Sequence, residues 1–142
     1  MRIYADTSFL ISLYSPDVNS AAAARIMRSS EGERLVTTFG ELEVVNALQL
    51  RVFRKEVSIA QAQAALKEFE GDLRDGVFQL RSLPELVFER ARELSRQSTA
   101  RLGTRTADLL HVAAAVELEA DYLYSFDEQQ RKLARTLHLK LN

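Results

Sequence analysis

Short apolar runs alternate along the chain with longer stretches in which apolar residues recur at helical spacing. The first run predicts a strand, and the polar triplet Asp6-Thr7-Ser8 behind it contains good caps for the apolar helix that follows. Later runs of the same kind are separated by one or two helical patterns. The predicted strands are Arg2–Ala5, Arg34–Thr37, Val77–Leu83, the segment DYLYSF and an edge strand in the terminal LHLKL.

The helical patterns carry their own start and stop signals. Ser58 and Gln61 form a capping-box pattern, and Gly71 is expected to end the helix that they open. The helix before it should bury a stripe that contains Leu42, Val45, Leu48 and Val52. The predicted helices follow Asp6-Thr7-Ser8 and Ser15-Pro16, cover Phe39–Arg54, Ser58–Gly71 and Pro84–Arg96, begin at a Thr104 cap, and cover Glu128–Thr136.

Strands separated by single or paired helices indicate an α/β fold, here a three-layer α/β/α sandwich with a mostly parallel central sheet. The 142 residues, 46% of them hydrophobic, suit one domain over 1–142, and no Gly-, Ser- or Pro-rich linker divides them. There is no Cys, which excludes disulfides and thiolate sites. Without a signal-peptide pattern or an apolar run of membrane-spanning length, we expect a cytoplasmic protein that does not enter a membrane.

The charge balance of the chain produces no overall positive potential that would attract a polyanion such as a nucleic acid. The chain has 19 Lys and Arg against 20 Asp and Glu, for a net charge of -1, which argues weakly against non-specific nucleic-acid binding. An enzyme that grips phosphate through a metal and a local arginine patch needs no such excess. Basic residues do cluster locally, although each cluster is more simply interpreted as a solvated helix face: Arg51, Arg54 and Lys55, and Arg90, Arg92 and Arg96.

Four carboxylates lie where this topology can bring them together: Asp6, Glu43, Asp108 and Asp127. Asp6 and Asp127 come at or just past the ends of predicted strands, where ligands of open parallel sheets bind. Carboxylates about 5 Å apart repel by roughly 3 kcal/mol per pair at an effective dielectric near 20. A hard cation such as Mg²⁺ or Mn²⁺ offsets that repulsion, which indicates metal-dependent phosphodiester chemistry.

Each acid also has a purely structural interpretation. Asp6 is a natural helix cap, and Ser125 with Glu128 spells a capping box beside Asp127. Asp108 is harder to explain in this way, because it is predicted inside a helix, where Asp is unfavourable. For Glu43 the two interpretations are about even, and nearby Glu41 lies on a different helical face.

Other chemistries receive little support. His111 lies one turn from Asp108, but among apolar neighbours it is more simply a packed, hydrogen-bonded residue than a metal ligand, and His138 is expected to be structural or exposed in the last strand. The phosphate-binding patterns GxxxxGK and GxGxxG are absent. No serine has a plausible His and Asp partner pattern.

The blocks YADTSFLI, ELEVVNAL, DLLHVAAA and YLYSFDEQQRKLA, in this order and at these separations, resemble the PIN-domain ribonucleases, and within them the VapC-type toxins of toxin–antitoxin pairs. The resemblance covers nearly the whole chain. A Thr is usual in the family where Ser125 stands, and this departure keeps the hydroxyl.

The resemblance implies a site in which Asp6 and Asp108 are core ligands of one or two Mg²⁺ or Mn²⁺ ions. Glu43 and Asp127 would complete the site directly or through water, with Ser8 and Ser125 as polar supporting residues. The implied activity is hydrolysis of structured RNA, such as tRNA or rRNA, to leave a 5′-phosphate and a 3′-hydroxyl.

The resemblance also implies a homodimer and a cognate antitoxin protein bound along a groove walled by the helices Phe39–Arg54 and Ser58–Gly71. Two other functions remain open. One is a PIN-type nuclease of RNA processing or of branched DNA, although the chain has no arch-like insertion. The other is a PIN-like scaffold that binds a partner or RNA without catalysis.

Overall fold

The structure, a computed structural model that describes residues 1–142, is built around a parallel sheet with helices on both faces. The strands are β1 (Arg2–Ala5), β2 (Glu33–Thr37), β3 (Gln79–Arg81), β4 (Tyr122–Tyr124) and β5 (Lys140–Leu141). The helices are α1 (Thr7–Tyr14), α2 (Ser20–Ser29), α3 (Thr38–Phe53), α4 (Ile59–Arg74), α5 (Val87–Leu94), α6 (Ala100–Leu102), α7 (Thr106–Glu117) and α8 (Glu128–Thr136), with a π-helical segment, Ser95–Thr99, between α5 and α6.

The five strands follow the order β3-β2-β1-β4-β5, and every neighbouring pair is parallel. The central strand β1 pairs through Ile3 with Arg34 on one side and with Tyr122 on the other. The chain runs outward from β1 to β3 and then returns to β4 on the opposite side of β1. The three-layer α/β/α sandwich is therefore confirmed, and its switch point lies between β1 and β4.

Side chains alternate along the buried strands and so divide the core into two halves. Ile3 and Ala5 face the layer formed by α1 to α4, where they pack with Phe9, Leu48 and other apolar residues. Tyr4, between them, faces the layer formed by α5, α7 and α8. Tyr4 thus lies beneath α7, a position on which the site described below depends.

Several elements form where the sequence predicts them. β1 and α8 have the predicted bounds, and α1 follows its Asp6 cap directly. The capping box of α4 is present: the Ser58 hydroxyl accepts the Gln61 N–H at 3.1 Å, and the Gln61 side-chain oxygen accepts the Ser58 N–H at 2.8 Å. None of the helices is both long and apolar enough to span a bilayer.

The predicted start of α2 is wrong. Ser15 ends α1 instead, since its backbone N–H bonds to the Ile11 carbonyl, and its hydroxyl accepts the guanidinium of Arg51 at 2.8 Å. A turn then forms in which the Asp17 N–H donates to the Ser20 hydroxyl at 2.9 Å. The helix therefore begins at Ser20, beyond the predicted cap.

The buried stripe of α3 also differs from the prediction. Val44 and Leu48 are buried, whereas Leu42 is 64% exposed. The next helix continues past Gly71 to Arg74, and the chain turns at Gly76, whose φ of 77° suits a glycine. A glycine inside a helix is tolerated when packing supplies the stability, so Gly71 was a poor stop signal.

The start of α7 also differs from the prediction, and this difference affects a candidate site residue. Thr104 does not cap this helix, because its hydroxyl bonds to Thr99 at 2.6 Å, and Arg105 occupies the cap position. Asp108 therefore lies in the first turn of α7 and not in the helix interior. β3 and β5 are shorter than predicted, and His138 precedes β5 in a turn with φ of 60°.

Candidate metal site

The four predicted acids lie at or near the starts of four helices, at the carboxyl end of the parallel sheet. Asp6 follows β1 and Asp127 follows β4, the two strands that flank the switch point. Asp108 begins α7, and Glu43 lies in the second turn of α3. The carboxyl ends of the central strands and the N-termini of three helices therefore face the same region.

Asp6 lies at the base of this region and is fully buried. Its Oδ1 accepts the Phe9 N–H at 2.8 Å and the Ser8 hydroxyl at 2.7 Å, and its Oδ2 accepts the Ser125 hydroxyl at 2.5 Å. Complete burial raises the pKa of Asp6 above its ordinary value, although these hydrogen bonds act in the opposite direction. Ser8 and Ser125, which were predicted as supporting residues, both contact this carboxylate.

Asp108 and Asp127 lie on either side of the Arg105 guanidinium. Its Nε is 3.6 Å from Asp108 Oδ2, and its Nη2 is 3.4 Å from Asp127 Oδ2. Asp108 also accepts the backbone N–H of Arg105 at 2.8 Å, and Asp127 accepts two N–H groups at the start of α8. Arg105 is 74% exposed, whereas the Asp108 side chain is almost buried. The two carboxylates thus share one cationic partner, the guanidinium of an exposed arginine.

Glu43 is held from two directions. Thr7 donates its hydroxyl to Glu43 Oε1 at 2.7 Å, and the same oxygen is in a short contact with His111 Nε2. Partial burial by itself would raise the pKa of Glu43, but the hydrogen bonds from His111 and Thr7 outweigh it and hold the pKa below its ordinary value. Glu43 is therefore ionised at neutral pH.

His111 is buried and hydrogen-bonded, as the sequence suggests, but it is also directed at the acidic region. Its Nδ1 lies 2.9 Å from the Tyr4 hydroxyl. Neither its contact with Glu43 nor the role of Thr7 was anticipated. The available signal was spacing, because residues 108 and 111 are three apart and share a helix face.

Many of the side chains described above line a cleft of about 560 Å³. The side chains of Glu43, Asp108 and Asp127 line it. Ser8 also lines it and donates its hydroxyl to Asp6, which is buried behind it. Glu41 does not line it. No three carboxylate or imidazole side chains are close enough to one another to hold a metal ion as they stand. The cleft therefore gathers three of the four predicted acids, with Asp6 buried behind Ser8, and does not form a finished coordination site. The remaining polar lining comes from Thr7, Arg54, Arg105, His111 and Gln130.

The donor chemistry nevertheless fits a hard divalent cation. Every predicted ligand is a carboxylate oxygen, the type that Mg²⁺ and Mn²⁺ prefer. Arg105 already approaches Asp108 and Asp127 together, so the position between them attracts positive charge. An ion that bound these two carboxylates would replace Arg105 as their cationic partner.

The buried Asp6 carboxylate should make the metal-free fold less stable at neutral pH. Because its folded-state pKa is raised, Asp6 contributes stability below the ordinary aspartate pKa, and this contribution is lost as pH rises through the raised value. In EDTA, Asp6→Asn should therefore raise Tm at pH 7 by roughly a few degrees, with the gain shrinking towards pH 4. Thermal melts at both pH values measure this difference.

The matched control for this melt is Asp75→Asn, which changes an exposed carboxylate at the end of α4. Its Tm should follow that of the wild-type protein at both pH values. A gain from Asp6→Asn that did not depend on pH would contradict the assignment of the effect to a buried charge.

The comparisons with known proteins agree with the architecture. A family model of the PIN domain matches residues 3–136. No curated protein sequence matches the chain.

Two solved structures are similar to this one. The VapC20 toxin of Mycobacterium tuberculosis, described as cleaving the sarcin–ricin loop, has a TM-score of 0.71 at 20% identity over 92% of this chain and 93% of that one. VapBC2 of Rickettsia felis, solved with a DNA fragment from its promoter, has a TM-score of 0.68 at 16% identity over 100% and 98%. At such identities the two structures establish a common fold.

Proposed function

Because this chain belongs to the PIN domain family, we propose that it is a metal-dependent endoribonuclease and the toxin of a toxin–antitoxin pair. One observation carries the proposal: Glu43, Asp108 and Asp127 open into a single cleft at the switch point of the sheet, and Ser8, which also lines this cleft, bonds to the buried Asp6. The similarity to the VapC20 toxin supports the choice of RNA as substrate and of structured RNA, such as rRNA or tRNA, in particular.

In this proposal Asp6 and Asp108 are the principal ligands of Mg²⁺ or Mn²⁺, and Glu43 and Asp127 complete the site directly or through water. A bound ion would lower the pKa of water and offset the charge that develops on the phosphate. Ser8 and Ser125 orient Asp6 through the bonds described above. Ser8, Glu43, Asp108 and Asp127 line the cleft, and Asp6 is buried behind Ser8.

Arginines on the cleft wall supply the local positive charge that the chain as a whole lacks. Arg54 lies on the α3 side and Arg105 on the α7 side, so a polyanion in the cleft would meet a guanidinium on each flank. Guanidinium groups bind phosphate oxygens in a bidentate manner. We assign both arginines to the RNA backbone, and we propose that the protein acts in the cytoplasm.

We propose a cognate antitoxin as the partner, bound along α3 and α4. The support is a set of exposed apolar side chains on these helices, led by Phe53 at 82% exposure and Ile59 at 65%. The complex in the VapBC2 structure supports the same choice. A homodimer is proposed through α5, where Phe88 and the preceding Leu86 are exposed.

One observation favours a non-catalytic scaffold as the second candidate. No three potential ligands are grouped closely enough for a metal ion in the present arrangement of side chains. A scaffold would retain the cleft and its arginines for binding alone. The two candidates differ in whether added metal produces cleavage.

Metal removal and return test the proposal. The purified protein is stripped with EDTA, Mn²⁺ is titrated back, and cleavage of end-labelled total RNA is followed on sequencing gels. We expect discrete products that are at least about 10²-fold more abundant with metal, since an ion contributes several kcal/mol to such a reaction. Adding the protein encoded by a small adjacent reading frame should suppress them.

Each other outcome contradicts a part of the proposal. Cleavage that persists in EDTA would exclude metal dependence. Metal binding without cleavage of any RNA would favour the scaffold, and cleavage of branched DNA alone would favour a different PIN-type nuclease. Cleavage that the neighbouring protein did not suppress would contradict the choice of partner.

A further inference from the structure

A chain of buried hydrogen bonds runs from a helix cap in the sheet to the wall of the cleft. The Thr37 hydroxyl caps α3 by accepting the Gly40 N–H at 3.1 Å, and it lies 3.2 Å from the Tyr4 hydroxyl. Tyr4 in turn lies 2.9 Å from His111 Nδ1, and His111 Nε2 contacts Glu43. Thr37, Tyr4 and His111 are all buried, so solvent does not compete for these bonds.

The chemistry of each group determines which atom donates and which accepts along this chain of hydrogen bonds. Glu43 is ionised and can only accept, so His111 Nε2 must carry the proton that lies between them. In the neutral ring Nδ1 is then an acceptor, and the Tyr4 hydroxyl donates to it. Burial raises the pKa of Tyr4, which keeps that hydroxyl protonated. Thr37, whose oxygen already accepts from Gly40, donates onward to Tyr4.

We propose that Tyr4 and His111 are positioning residues that hold the Glu43 carboxylate at the mouth of the cleft. Tyr4 selects the imidazole tautomer, and His111 together with Thr7 fixes the orientation of Glu43. Glu43 stands on a helix surface and has several rotamers to lose, so preorganisation by buried partners should strengthen its interaction with a cation. This inference rests on the proposed metal-binding role of Glu43.

A double-mutant cycle on Mn²⁺ affinity separates positioning from general stability. His111→Leu should weaken Mn²⁺ binding about tenfold, a size typical of lost partners behind a metal ligand. His111→Gln should recover part of the loss, because its amide N–H can replace the Nε2 donor. Tyr4→Phe should weaken binding about threefold, the scale of one hydrogen bond. All three substitutions should have little effect on Mn²⁺ affinity in a Glu43→Gln background.

The matched control is Tyr14→Phe. Tyr14 is also buried and donates to a carboxylate, that of Asp72, at 2.5 Å, but it packs against Phe69 away from the cleft. Its loss should leave Mn²⁺ affinity unchanged by calorimetry. If Tyr4→Phe weakened binding equally with Glu43 and with Gln at position 43, or in neither background, the positioning role would be overturned.

Nitrogen NMR of His111 in the metal-free protein tests the chain independently of the reaction. We expect the shifts of a ring protonated at Nε2, and Tyr4→Phe should move them towards a tautomer mixture. A ring protonated at Nδ1 alone would overturn the inference even if RNA were cleaved. A wild-type protein that bound no Mn²⁺ would refute the metal proposal. The His111 tautomer measured by NMR would still show whether the chain of hydrogen bonds orients Glu43.

Discussion

An Asp108→Asn variant should cleave RNA at least about 10³-fold more slowly than the wild-type protein at saturating Mn²⁺. The substitution removes a nearly buried negative charge that is directed at the cleft. Charge stabilisation by a metal is worth several kcal/mol in phosphoryl chemistry, and each 1.36 kcal/mol changes a rate about tenfold. The measurement is kcat/KM on an end-labelled RNA that the wild-type protein cleaves.

The same variant should fold normally. An Asn oxygen at position 108 can still accept the backbone N–H of Arg105, the cap residue of α7, so the first turn keeps its hydrogen bond. Circular dichroism and thermal melting verify this. Glu41→Gln is the control, because it removes a carboxylate of the same helix as Glu43 but outside the cleft. Wild-type activity of Asp108→Asn would refute the catalytic assignment.

A Phe9→Ala variant should lose about 3–5 kcal/mol of unfolding free energy, the usual cost of removing a buried aromatic ring. Phe9 is fully buried in α1, and its ring centroid lies 5.2 Å from that of Tyr124 and 5.6 Å from that of Phe126. Tyr124 belongs to β4 and Phe126 follows it, so the ring packs α1 against the end of β4. Urea denaturation of the purified variant measures the loss.

Such a loss would be a large part of the 5–15 kcal/mol that stabilises an average protein. Phe53→Ala is the matched control, since the Phe53 ring is 82% exposed and its removal should change the unfolding free energy by less than about 0.5 kcal/mol. A Phe9→Ala loss below about 1 kcal/mol would mean that the core around α1 relaxes around the cavity.

The fold was predictable because local signals agree with the tertiary structure at its centre. In β1 the alternation of Ile3, Tyr4 and Ala5 matches two apolar layers, and Asp6 both ends the strand and caps the helix. Signals failed where a distant side chain competed for a local group. Ser15 could not start α2, because Arg51, a residue of α3, takes its hydroxyl.

The acids of the cleft could be named from sequence because strand ends and helix starts are local features. Asp108 was selected partly for a wrong reason, since it lies in a first helical turn and not in a helix interior. The contacts of His111 and Thr7 with Glu43 could not be predicted in the same way. They depend on how α1, α3 and α7 pack, which no pattern within a single element encodes.

The helix caps of the cleft have an evolutionary consequence. Asp6 and Asp127 cap helices by accepting backbone N–H groups, and Asn serves such a cap position about as well as Asp. A single codon change from Asp to Asn would therefore remove the charge and keep the helix. Under this geometry, descendants that lack the proposed nuclease activity can persist as folded proteins, so loss of that activity does not require loss of the gene.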